Sequence, residues 1–179
     1  DPLKAVRSKK EASINGCMQL LKEKKVEAVF SAGSTGATLI SAITILGKQR
    51  GVIRPAIASV LPTIERSVIL LDSGASLDVK PKVLYQFAVM GSKLAESLFD
   101  IESPKIGLLN NGEEESKGRE LEKSALKLLN SSSLNFVGNV EGRDFATNKV
   151  DVFVTDGFTG NVVLKTLEGT AKLQQNLIS

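Results

Sequence analysis

The chain has 179 residues, 42% of them hydrophobic, enough for one globular domain with a core of its own. It carries 23 Lys and Arg against 20 Asp and Glu, and the resulting net charge of +3 is not gathered into a basic stripe with aromatic platforms, so nucleic acid is not an expected partner. With no histidine and one cysteine, Ser–His and Cys–His nucleophile pairs, an internal disulfide and a structural zinc site are excluded, and chemistry must run on Lys, Arg, Asp, Glu, Asn, Ser, Thr and backbone dipoles.

Residues 2–25 read as one amphipathic helix with Ile14, Cys17, Met18 and Leu21 on its inner face, where Cys17 is core filler rather than a nucleophile. Lys22, Lys24 and Lys25 read as solvated charge; Arg7, Lys9 and Lys10 read either so or as an overhang above an anionic site. Residues 26–30 predict a short buried strand running into Ser31-Ala32-Gly33-Ser34-Thr35-Gly36. There Ser34 or Thr35 can cap the next helix, and Gly33 and Gly36 permit close approach of a ligand. Residues 37–46 are apolar nearly all round, which predicts a helix packed on several sides and ended by Gly47. The glycine spacing matches neither a P-loop nor a dinucleotide fingerprint, and no cofactor is expected.

Residues 56–61 and 67–71 predict two strands whose short connection forces a hairpin inside a mixed sheet. Asp72-Ser73-Gly74-Ala75-Ser76 follows, and Pro81 opens a helix through Val83, Leu84, Phe87, Met90 and Leu94. Gly91 inside that helix predicts a close contact with another helix, or with a second subunit. Residues 106–109 form another apolar strand, followed by Asn110, Asn111, Gly112, the glutamates 113–115, Lys117 and Gly118. Glutamates at a helix start suit its dipole; equally, a carboxylate with Lys117 at a strand end suits acid or electrostatic work. The strand at 135–137 leads into Gly138-Asn139-Val140-Glu141-Gly142-Arg143-Asp144, where four kinds of polar group around two glycines favour a site over a surface turn.

Residues 150–154 alternate as a last strand and break into Asp156-Gly157-Phe158-Thr159-Gly160-Asn161, after which helical spacing resumes at Val162, Val163, Leu164 and Leu167. Strand, glycine-bearing loop and helix start leave backbone N–H groups at the strand end, which suits an anion. Lys165 is expected to lean back over the first turn and add its ammonium there; the alternative is a lysine snorkelling to water.

Strands that alternate with helices and end in polar clusters predict a three-layer α/β sandwich with a mainly parallel, mixed sheet. Ligands bind such sheets at the carboxyl ends of the strands. Segments 33–36, 72–76, 110–117, 139–143 and 156–161 are therefore expected to converge on one cleft. No apolar run approaches the length that crosses a bilayer, and no signal-peptide pattern is present.

SAGSTGA, LLDSGA, KPKVLYQFAVMGS, GLLNNGEEESKG, LNFVGNVEGRD and VTDGFTGNVVLKTLEG, in that order, resemble the bacterial PlsX-type phosphate acyltransferases. The match runs from DPLKAVRSKK to LKTLEG, and GNVEGRD followed by DGFTGNVVLKT is its most specific part. The resemblance implies an enzyme that makes acyl phosphate from acyl-acyl carrier protein and inorganic phosphate for phospholipid synthesis. It also implies a homodimer, a fold like that of the isocitrate and isopropylmalate dehydrogenases, and a cytoplasmic protein loosely attached to the inner membrane face. Ser34 and Ser76 stand where the family usually has Asn, and Asn111 where it has an apolar residue; the serines keep their hydrogen-bonding capacity, so tuning rather than loss is expected. The family's opening strand and its C-terminal helices are missing here, so residues 1–179 are expected to form a single α/β domain of an incomplete subunit.

On this reading Lys165, Asn139, Glu141, Arg143 and Asp156 are the expected catalytic residues. Gly33, Ser34, Thr35, Gly36, Asp72, Gly74, Asn110, Glu113, Lys117, Gly157, Thr159, Gly160 and Asn161 are the expected substrate- and phosphate-binding residues, with no metal ligand among them. The chemistry agrees with a site free of histidine. Phosphate near neutral pH is already a nucleophile and needs positioning and partial neutralisation; a thioester has a good leaving group; the oxyanion needs preorganised donors. Two rivals stand beside this reading. A nicotinamide-dependent hydroxyacid dehydrogenase of similar fold would use aspartates such as Asp72, Asp144 and Asp156 on a metal, and a non-catalytic domain would bind acyl carrier protein or phosphate without turnover.

Overall fold

The computed structural model describes residue 9 and residues 11–178. The chain forms two compact units, Asp1–Pro55 and Ala56–Ser179, where the sequence reads as one α/β domain. The α/β architecture belongs to the second.

The first unit holds α1 (Ser13–Lys22) and α2 (Thr35–Ile45), packed on each other. Met18 of α1 points inward, and Ser41 donates to the Asn15 side-chain oxygen at 2.7 Å in the buried contact. Cys17 is a half-buried free thiol. Ser34 caps α2 as expected, its hydroxyl accepting from the Ala37 N–H at 3.5 Å. Two other expectations fail. Residues 26–30 form no strand, and Phe30 is 93% exposed; a β-rich sequence cannot be a strand without a neighbour to pair its backbone groups. Nor is α2 largely buried: Ser41 is its one buried residue, and Ile43 and Leu46 are exposed. Within this unit α1 covers one face of α2 and leaves the rest of its apolar surface open. Of the long helix expected over residues 2–25, residues 2–8 and 10, with Arg7 and Lys10, lie outside the described residues; Lys9 is exposed.

The second unit runs β1 (Ala58–Pro62), β2 (Ser67–Leu71), α3 (Pro81–Phe99), β3 (Ile106–Leu109), α4 (Glu120–Asn130), β4 (Phe136–Val140), a 3-10 turn (Gly142–Ala146), β5 (Val152–Val154) and α5 (Gly157–Ile178). The sheet order is β1-β2-β5-β3-β4. β1 and β2 form the expected antiparallel hairpin, with Pro62 opposite Ser67, and every other pairing is parallel. Strand alternation builds two cores. Ile69, Leu71, Ile106, Leu108, Val152 and Val154 pack under α3 and α4, where Phe87 and Leu129 are fully buried. Val68, Leu70, Val140 and Phe153 face the other way, under Val163, Leu164 and Leu167 of α5 and under Phe145, which stacks on Phe153 at 3.8 Å. Strands buried on both faces explain the near-continuous apolar runs, each large side chain contributing about 1.5–3 kcal/mol.

Gly91 has a different reason from the one expected. A Cβ there would lie 2.5 Å from Val152 Cγ1, so the glycine lets α3 settle onto β5 rather than onto a helix. β4 also runs further than expected, through Gly138, Asn139 and Val140. Its register against β3 shifts between Ile106 and Leu108, and Gly138 takes a φ of +98° near this irregularity, in the left-handed region that favours glycine.

Candidate active site at the carboxyl edge of the sheet

β2, β3, β4 and β5 end along one edge of the parallel sheet, and the segments after them are tied together there. The Gly157 N–H donates to the Ser76 carbonyl at 2.8 Å, joining the loop after β2 to the start of α5. Asn139 Nδ2 donates to the Glu114 carbonyl at 2.9 Å, joining β4 to the loop after β3. Arg119 Nη2 donates to Asp156 Oδ2 at 2.6 Å, joining the start of α4 to the end of the β5 segment. At this edge lies a cavity of about 510 Å³ lined by Leu109, Asn110, Gly118, Arg119, Gly142 and Thr159, among others, with no residue of the 72–76 loop in its wall. Four of the five expected segments thus meet. The fifth, residues 33–36, belongs to the first unit, where the Gly33 N–H bonds Ser31 Oγ and Thr35 and Gly36 open α2.

Asp72 is an anchor, not an open ligand. Its carboxylate is buried and accepts the N–H groups of Ile57 (3.0 Å), Gly74 (3.2 Å), Ala75 (3.0 Å) and Ser76 (2.7 Å). It shapes the 72–76 loop, which sets Gly74 against the Asn161 side chain. The segment from Gly157 to Asn161 is helical from its first residue, where the sequence suggests a loop. Asp156 caps it: Oδ1 accepts the Thr159 N–H at 2.8 Å, and Oδ2 accepts the Thr159 hydroxyl at 2.9 Å. Burial pushes the Asp156 carboxyl up, but the Thr159 N–H, Arg119 and the Thr159 hydroxyl outweigh it and hold the group below its ordinary value. Asp156 is therefore a fixed negative charge at neutral pH and no proton donor.

Glu113 is the centre of an ionic cluster. Its carboxylate lies 2.8 Å from Lys149 Nζ and 3.8 Å from Arg143 Nη2. Arg143 also pairs with Glu141 at 2.5 Å, and Lys149 with Asp144 at 3.4 Å. Glu113, more than any other partner, raises the Lys149 ammonium above its usual range. The glutamates 113–115 occupy the turn after β3 rather than a helix start, since α4 begins at Glu120. Asn110 and Asn111 lace that turn: Asn110 Nδ2 donates to the Lys117 carbonyl at 3.3 Å, and the Gly118 N–H donates to Asn111 Oδ1 at 3.0 Å. Lys117 itself is exposed and makes no ion pair among the described residues. Asn139 is 5% exposed, and its Oδ1 is buried without a hydrogen-bond partner among the described residues.

Lys165 does not lean back over the first turn of α5. Its ammonium pairs with Glu168 at 2.6 Å, one turn further on, and its side chain is 65% exposed. An exposed lysine here finds a carboxylate at i+3 before it finds the helix start.

A family model described as "Fatty acid synthesis protein" matches residues 1–179. The chain belongs to that family. Among curated relatives, the phosphate acyltransferase of Desulforamulus reducens is 54% identical over 170 residues, 95% of this chain and 51% of that protein. The phosphate acyltransferase of Clostridium tetani is 49% identical over 171 residues, covering 96% of this chain and 51% of that one. The chain spans about half the length of the curated relatives it matches. Among solved structures, the EutD phosphotransacetylase from Staphylococcus aureus superposes with a TM-score of 0.67 at 17% identity, over 96% of this chain and 63% of that one. A phosphotransacetylase from Streptococcus pyogenes gives 0.62 at 20% identity, over 88% and 55%. At these identities the likeness concerns the fold: an α/β fold with a mixed sheet. Both of these structures are phosphotransacetylases.

In this member of the fatty acid synthesis protein family the sequence reading passed over Arg119 and Lys149. Arg119 stands at the N-terminal boundary of α4 and pairs with Glu122 as well as Asp156; both carboxylates raise its guanidinium, Glu122 first. The signal was an arginine at a helix start with a glutamate three residues on, an i,i+3 pair. Lys149 carried no local signal, because its partners Glu113 and Asp144 come from the turn after β3 and the 3-10 turn.

Proposed function

We propose that this chain carries the acyl-transfer site of a phosphate acyltransferase, making acyl phosphate from acyl-acyl carrier protein and inorganic phosphate for phospholipid synthesis. The observation that carries the reading is the cleft at the sheet edge, where polar segments of a family whose curated relatives are named phosphate acyltransferases surround about 510 Å³ without a histidine. Phosphate supplies its own nucleophilic oxygen. That oxygen forms a bond to the thioester carbonyl carbon, the carbon–sulfur bond breaks, and the thiolate leaves and takes a proton from solvent. The protein's task is to hold and neutralise. Lys117 offers an ammonium with no ion pair among the described residues, and Arg143, paired with Glu141 at 2.5 Å and lying 3.8 Å from Glu113, has a side chain 75% exposed that leaves further N–H groups for the anion. Asn139 works from behind the cleft, its Nδ2 holding the Glu114 carbonyl and so fixing the turn after β3 against β4. Asp156 holds the first turn of α5 in place without exchanging a proton.

A dehydrogenase would need carboxylates gathered on a metal, but among the described residues Asp72, Asp144 and Asp156 form no such group. The reading extends to a homodimer with the architecture of the isocitrate and isopropylmalate dehydrogenases, and to a cytoplasmic enzyme in loose contact with the inner membrane face. No helix among the described residues is long and apolar enough to cross a membrane. The test is hydroxylamine trapping with the full-length protein, acyl-acyl carrier protein and phosphate. Phosphate-dependent acyl hydroxamate is expected, and its absence from a folded protein overturns the proposal.

A further inference from the structure

A second cavity, of about 680 Å³, lies beside α5 and has no part in the polar site. Its walls are Pro62 and Ile64 of the β1–β2 turn, Phe145 of the 3-10 turn, and Leu164, Leu167 and Ala171 of α5. The lining is mostly carbon, and Ile64 stands 88% exposed at its edge. No residue lines both cavities, but the same two elements border each. Gly142 and Val163 line the first, and Phe145 and Leu164, further along the same 3-10 turn and the same helix, line the second. α5 starts at the carboxyl edge of the sheet, so its later residues lead away from the polar cleft. From Val163 to Gln174, at the far end of the groove, the helix rises roughly 16 Å at about 1.5 Å per residue. That suits an extended hydrocarbon chain of the long fatty-acid class.

We propose that this groove holds the hydrocarbon tail of the acyl donor while its thioester carbonyl lies in the polar cleft. The inference rests on the acyltransferase reading and adds a tail subsite to it. A tail needs no charged partner, and no Lys or Arg lines the groove; Glu168, at its border, would repel an anion. Burial of the tail would give roughly fourfold in binding per methylene removed from water, so the groove sets the preference for long chains.

The test uses the full-length protein. Ala171→Trp fills the groove, and kcat/KM is measured with butanoyl and palmitoyl thioesters of the carrier protein. The ratio of palmitoyl to butanoyl efficiency is expected to fall at least tenfold, with butanoyl turnover and Tm close to wild type. An unchanged ratio in a folded variant overturns the inference. Should Ala171→Trp fail to fold, Gln174→Trp serves instead. This chain contains no Trp, so the emission gained over wild type reports on the far end of the groove. Quenching of it by a brominated palmitoyl donor is expected. No quenching means that the tail lies elsewhere or that other parts of the subunit fill the groove, and either overturns the inference. If wild type traps no hydroxamate from either donor, the acyltransferase reading itself falls; if wild type turns over both and the variants change nothing, only the groove assignment falls.

Discussion

The carbonyl oxygen of Asp72 occupies the place a side chain on Gly160 would need: a Cβ at Gly160 would lie 1.9 Å from it. This contact sets how closely the first turn of α5 approaches the loop after β2. The obstacle is backbone and cannot rotate away. Overpacking costs about 1–3 kcal/mol, and the gain in helix propensity from Gly to Ala recovers at most about 1 kcal/mol. Gly160→Ala is therefore expected to destabilise the protein by about 2 kcal/mol in urea unfolding. Gly169 on the same helix has nothing within 4 Å of its would-be Cβ. Gly169→Ala is expected to be neutral or stabilising, and two variants of equal stability would refute the packing argument.

Asp156 gives a prediction in pH. Its carboxyl is held below the ordinary range, against the push of burial, by the Thr159 N–H, Arg119 and the Thr159 hydroxyl. A carboxyl lowered by folding adds stability that is fully present above its unfolded pKa of about 3.9 and is lost as pH falls through the lower folded value. Asn keeps the capping ability of Asp, so Asp156→Asn reports mainly on the charge. The Arg119 side chain is 61% exposed and that of Asp156 2%. The variant's deficit at pH 7 should thus be about 1–2 kcal/mol, between the values of exposed and buried pairs. The gap should stay level down to about pH 4 and narrow below it. Urea midpoints at pH 7 and pH 3 measure this, and a gap that widens in acid would reverse the sign of the argument.

β2, β3 and β5 were legible because both faces of each are covered, as Val68 and Leu70 on one side of β2 and Ile69 and Leu71 on the other attest. The hairpin was legible because its connection is too short for a crossover. Residues 26–30 carry the same β-rich composition and form no strand, since pairing is a property of neighbours rather than of composition. At the site, the segments could be found from their glycines, but not the work each side chain does. Asp72 looks like a ligand and is spent on four backbone N–H groups. Gly160, expected among the phosphate-binding residues, also makes room for the Asp72 carbonyl. The ion pairs of Arg119 and Lys149 with Asp156 and Glu113 cross 37 and 36 residues of sequence, beyond the reach of any local pattern.

Lys117 and Lys165, both candidates from the sequence, separate on their surroundings. The Lys165 ammonium is drawn to Glu168, one turn further from the helix start, so its charge lies away from the cleft. Lys117 stands at the end of the turn after β3, its carbonyl held by Asn110 and its neighbours Gly118 and Arg119 lining the cleft. Its ammonium has no ion pair among the described residues, so its charge is available to an incoming anion. A hydrogen bond to a charged group contributes about 1.5–3 kcal/mol, or roughly a factor of ten to a hundred. Lys117→Met in the full-length protein is expected to raise the KM for phosphate by at least about tenfold at unchanged Tm. Lys165→Met, which keeps the length and removes the charge, is expected to stay within about twofold of wild type. Both are read by hydroxamate trapping at limiting phosphate. A large loss at Lys165 with none at Lys117 would return the electrostatic role to the first turns of α5 and remove Lys117 from the site.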